Sequence, residues 1–91
     1  LMPTQLYTLG VSYFKGREDE KAAVLLTFLT GLDGNDAFKT PNNYLMTGVA
    51  WYRLDNFAIA DRYFDRVLKA EESEVNLKAK AQARLWKALV A

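Results

Sequence analysis

The chain has 91 residues with 12 Lys plus Arg, 11 Asp plus Glu, no His and no Cys. That length makes one small domain or part of a larger one. The missing residue types exclude a disulfide framework, a thiolate zinc site and the commonest general base. A net charge of +1 gives no overall field to draw in nucleic acid or an anionic membrane.

The predicted elements are helices, because Pro and Gly are sparse and apolar residues recur at spacings of three and four. Pro3 opens a first helix whose stripe runs Leu6, Leu9, Val11, Tyr13 and Phe14, and Gly16 stops it. The acidic run Glu18-Asp19-Glu20 suits the N-terminus of a second helix, where the macrodipole favours negative charge. That helix carries Ala22, Leu25, Leu26, Phe28, Leu29 and Leu32 and ends at Gly31 and Gly34. Residues 33–40 read as a loop. Pro41 opens a third helix containing Tyr44, Leu45, Val49, Trp51 and Tyr52, broken at Asp55-Asn56. A fourth spans about Phe57 to Ala70, with Ile59, Ala60, Tyr63, Phe64, Val67 and Leu68 on its buried side. Residues 71–74 connect to a fifth, 75–91, helical on propensity. The rival reading places strands around 7–14 and 44–52.

The fifth helix offers two apolar stripes. One is Leu77, Ala81, Leu85 and Leu89; the other is Ala79, Ala83, Trp86 and Val90. Either fits a buried face. Leu at position 1 and the apolar ending from Trp86 to Ala91 lead us to expect that the natural protein extends beyond this segment. The longest apolar run, Ala22 to Leu26, falls far short of the ~20 residues that span a bilayer. No membrane insertion of this segment is expected.

Shifting the chain by 38 residues overlays it on itself. Pro3 then falls on Pro41, Gly10 on Gly48, Tyr13 on Trp51, Phe14 on Tyr52, Ala22 on Ala60, Leu26 on Phe64 and Leu29 on Val67. Small residues at the glycine and alanine positions allow two antiparallel helices to cross closely. We expect Gly10 near Ala22 and Gly48 near Ala60.

On these residues the chain resembles the tetratricopeptide repeat (TPR) family, over units 3–36 and 41–74, with 75–91 as a capping or next-repeat helix. The resemblance implies an all-α helical-hairpin solenoid of about five helices. A coincidental four-helix bundle is the alternative. Thr47 replaces an expected leucine, Asp19 a turn aromatic, and the unit-closing prolines are absent. The resemblance also implies a concave partner-binding groove, carried by Thr4, Tyr7, Val11, Phe14 and Lys15 in the first unit. In the second it is carried by Asn42, Leu45, Val49, Tyr52 and Arg53. The expected occupant is an apolar extended or helical segment of another protein, with the aromatic and Arg side chains as anchors. Val11 and Val49 stand where carboxylate-gripping members of the family carry clamp donors, so a terminal carboxylate is not the expected ligand. Bacterial secretion chaperones and periplasmic envelope-assembly proteins are the settings the resemblance suggests. Self-assembly into a homo-oligomer, or a regulatory segment of a larger protein, are the alternatives.

No catalytic, cofactor or metal role is expected. Asp61 and Asp65 share a helix face but are interleaved with Arg62 and Arg66, as on a solvated surface. Asp33-Gly-Asn-Asp36 lacks the spaced ligands of a calcium loop and reads as a turn. Lys78, Lys80, Arg84 and Lys87 spread around the fifth helix and are expected to be solvated, with no nucleic-acid partner.

Overall fold

A computed structural model describes residues 2–91. Five helices follow in order: α1 Pro3–Lys15, α2 Asp19–Thr30, α3 Pro41–Arg53, α4 Phe57–Leu68 and α5 Glu74–Val90. Among the described residues there is no strand, so the strand reading falls and the fold is all-α. Pro3 and Pro41 stand in the first turns of α1 and α3, where a missing N–H costs nothing. Thr40, Asn56 and Ser73 cap α3, α4 and α5 by accepting the N–H of Asn43, Ile59 and Asn76.

The two turns inside the hairpins are copies. Arg17 (φ 61°) and Asp55 (φ 62°) both take the left-handed conformation. The Arg17 N–H bonds the Phe14 carbonyl and the Glu18 N–H that of Tyr13. The Asp55 and Asn56 N–H groups repeat this on Tyr52 and Trp51. The 38-residue repeat therefore extends to individual backbone hydrogen bonds.

Consecutive helices pack on one another, and α3 also packs against α5. The crossings correct the expected pairing of small with small. A Cβ built on Gly10 would lie 3.1 Å from Leu26 Cδ2, and one on Gly48 would lie 2.6 Å from Phe64 Cε1. Each glycine thus faces the large residue of its partner helix. Tyr13 and Phe14 pack against the cluster formed by Ala22, Ala23, Leu26 and Ala50. In each hairpin a glycine of the first helix meets a large residue of the second.

The core has two parts. Ala22, Ala23 and Leu26 of α2 meet Ala50 of α3. Leu45 and Val49 of α3, Ala60, Phe64 and Val67 of α4, and Ala79 and Ala83 of α5 form the second. Trp51 packs against both, and its Nε1–H donates to Thr27 Oγ1 at 2.8 Å. Thr47, in the expected leucine slot, is fully buried and satisfies its hydroxyl on the Asn43 carbonyl at 2.7 Å. Of the two stripes on α5, Ala79, Ala83, Trp86 and Val90 face the core, while Leu77, Ala81, Leu85 and Leu89 are exposed.

Two basic residues of α5 depart from the solvated expectation. Lys80 is buried, its Nζ donating to the Ala70 carbonyl at 2.6 Å and to Glu72 at 2.7 Å. A lysine at this depth needs its charge paired, and the α4–α5 connection supplies both acceptors. Lys87 bridges Asp61 and Asp65 at 2.9 and 2.6 Å. The two carboxylates are therefore tied to α5, while Arg66 lies over the rings of Tyr44 and Tyr63.

Candidate binding groove

A groove of about 370 Å³ opens where the end of α1, the length of α3 and the middle of α5 converge. Its apolar walls are Phe14, Leu45, Met46, Val49 and Trp86, and Asn42, Arg53 and Gln82 add polar groups. Five of the residues expected from the sequence thus line one cavity, Phe14, Leu45, Val49 and Arg53 among them. Asn42 joins them.

The other expected positions are placed differently. Tyr7 donates its hydroxyl to Asn43 Oδ1 at 2.7 Å and stacks on Phe38 at 5.1 Å, so it ties α1 to the start of α3 and to the inter-hairpin loop. Tyr52 is held between Phe57 (5.1 Å) and Trp86 (4.9 Å). Val11 is half-buried, Lys15 is exposed, and neither lines the groove. Leu45 and Val49 are only 9% and 5% exposed and belong to the core as well as to the groove floor. The expected open aromatic strip is therefore a narrower cleft, because α5 packs on α3 and its Trp86 covers Tyr52.

Arg53 is the polar centre. Its guanidinium lies 4.6 Å from the Phe14 ring centroid and 3.6 Å from Asp19 Oδ1. That separation is an ion pair without a hydrogen bond. Both Arg53 Nη1 and Asp19 Oδ1 are buried and lack a hydrogen-bond partner, a costly condition.

Met46, Gln82 and Trp86 are the groove residues that sequence reading missed. A 33-residue shift places Gln82 on Val49 and Trp86 on Arg53, a signal that the 38-residue comparison passes over. A larger hollow, about 480 Å³, runs along α2 beside Val24, Leu25 and Phe28. All its walls come from one helix, so it is an open face and does not enclose a ligand from two sides. Among the described residues no cluster of three or more acidic, His or Cys side chains is placed to hold a metal ion. Compared with protein-family models, curated proteins and solved structures, the chain finds no match.

Proposed function

We propose that the protein is a non-catalytic interaction module of TPR type that holds an apolar segment of a partner protein in the α1–α3–α5 groove. The observation that carries this reading is the groove itself: an apolar floor with the partly exposed Arg53 side chain beside it. Binding sites of this kind combine a mainly apolar lining with a few placed polar groups. The partner segment inserts an apolar side chain over Leu45 and Val49 and offers a carboxylate or carbonyl oxygen to Arg53. The side-chain amides of Asn42 and Gln82 line the same groove and pair with the partner's backbone.

The test is selection of peptides from a random library on the whole chain. Selected sequences are expected to combine a large apolar residue with an acidic one. Asn42→Trp, which fills the groove mouth from an exposed position, and Arg53→Gln are expected to weaken their binding at least tenfold. Thermal melting checks that both variants stay folded. Selected peptides that bind folded Asn42→Trp and Arg53→Gln as well as the parent would refute the groove.

A further inference from the structure

Gly34 is the one glycine of the sequence that follows a residue with a side-chain carbonyl, Asp33. The pair sits at the tip of the connection between the hairpins, and both residues are exposed. Gly34 takes φ +74°, and a Cβ built on it would meet nothing within 4 Å. The hydrogen bonds of the connection fall on either side of the pair. Before it, the Gly31 N–H donates to the Phe28 carbonyl. After it, the Ala37 N–H donates to Asn35 Oδ1 and the Lys39 N–H to the Asp36 carbonyl.

Asp36, Asp55, Asp61 and Asp65 are placed differently. Asp61 and Asp65 lie inside α4, where helical hydrogen bonds hold the N–H that follows each carboxylate, and both pair with Lys87. Asp55 precedes Asn56, whose N–H donates to the Trp51 carbonyl. Asp36 precedes Ala37, whose N–H is bonded to Asn35, and its carboxylate lies 3.1 Å from Lys39 Nζ. At Asp33 the following nitrogen belongs to a glycine, the residue that crowds it least and restricts its backbone least.

We propose that Asp33 and Gly34 form a covalent modification site, at which the folded chain converts aspartate to isoaspartate through a succinimide without unfolding. The Gly34 nitrogen attacks Asp33 Cγ. The N–Cγ bond forms, the Cγ–OH bond breaks, and the hydroxyl leaves as water with the amide proton. Water then adds to either carbonyl of the five-membered ring. Opening at Cγ restores aspartate. Opening at the main-chain carbonyl breaks its bond to the Gly34 nitrogen, so the chain now runs through Cγ and the former main-chain carbonyl becomes a free carboxylate. Solvent is the only co-reactant, and the net change is an isomerisation. The product adds one methylene to the connection at its exposed tip. Leu29 and Thr30 before the tip and Phe38 after it are buried, so the hairpins keep their packing.

The test ages the whole folded chain at physiological temperature and neutral pH, beside a synthetic peptide of residues 30–38 as the unstructured reference. Isoaspartate is read as methyl uptake from labelled S-adenosylmethionine, catalysed by an isoaspartate-specific methyltransferase. Uptake is expected to rise with ageing, at a rate within tenfold of the peptide's. The tryptic segment 22–39 is expected to split into two species of equal mass, one of them no longer cut at residue 33 by an aspartate-specific protease. Asp33→Ser and Gly34→Ala are each expected to lower uptake tenfold or more, and circular dichroism verifies that both variants are folded. The aged chain is expected to melt with the fresh one. Uptake more than tenfold slower than in the peptide overturns the proposal, since the fold would then hold the pair apart. So does uptake that maps to another aspartate or persists in both variants. A melting temperature that falls as isoaspartate accumulates also overturns it, because the tip would then be part of the packed fold.

Discussion

The hairpins α1–α2 and α3–α4 share turns and glycine crossings, yet they are buried very differently. In α1 only Gly10 is buried, whereas α3 buries six residues, from Asn43 to Ala50. The reason is the number of neighbours. α1 rests mainly on α2, with Tyr7 and Phe14 reaching α3 and the loop, while α3 is enclosed by α2, α4 and α5. The repeat position determines where a side chain points, and the surrounding helices determine how much its removal costs.

Substitutions at matched positions of the two hairpins test that statement. The largest difference is expected between Trp51 and Tyr13. Trp51→Ala should cost ~3–5 kcal/mol, since the ring fills both parts of the core and its N–H is bonded. Tyr13→Ala should cost less than half as much, because that ring packs on one cluster and is half-exposed. Equal losses in urea unfolding would break the comparison.

The glycines come next. Gly48→Ala should lose ~1–3 kcal/mol, since its Cβ meets the enclosed Phe64 ring. Gly10→Ala should stay within ~1 kcal/mol of neutral, because a terminal methyl of Leu26 can give way and alanine favours the helix by about that amount. The helix starts follow. Asn56→Ala should cost ~1 kcal/mol through its lost bond to Ile59, while the matched Glu18→Ala, which breaks no side-chain cap, should cost a few tenths at most. Thermal melting ranks all four.

The smallest effect is on pH dependence. Hydrogen bonds to Asp65 and Asp61 raise the pKa of Lys87, and the hydrogen bond from Lys80 lowers that of Glu72. The Lys87 contribution is present below the ordinary lysine pKa and is lost as pH rises through the raised one. The Glu72 contribution is present above the ordinary carboxylate pKa and is lost as pH falls through the lowered one. Lys87→Met should flatten the alkaline limb of a stability–pH profile and Glu72→Gln the acid limb.

Much of this fold was legible because Pro3, Pro41 and the turn sequences are local signals that act within a few residues. The all-helical order and the 38-residue phase both come from them. The groove was only half legible. Phe14, Leu45, Val49 and Arg53 share one cavity because the face of a helix follows from periodicity. Tyr7 and Tyr52 were misjudged because their partners, Phe38 and Trp86, come from a loop and from α5, which the repeat pattern does not describe. Lys80 looked like a surface cation, since nothing local indicates that the Ala70 carbonyl and Glu72 will close over it.

The segment between the hairpins has one further consequence. Phe38 is buried beneath Tyr7, and its carbonyl receives the Asn43 amide, yet Gly34 at φ +74° would leave an added Cβ in open space. The ten-residue connection from Gly31 to Thr40 is thus anchored at its end and loose at its tip. A protease should nick the chain at the tip first, and the two pieces should stay associated through the α2–α3 interface. Split at Gly34 and mixed, the halves form a pair suited to fragment complementation.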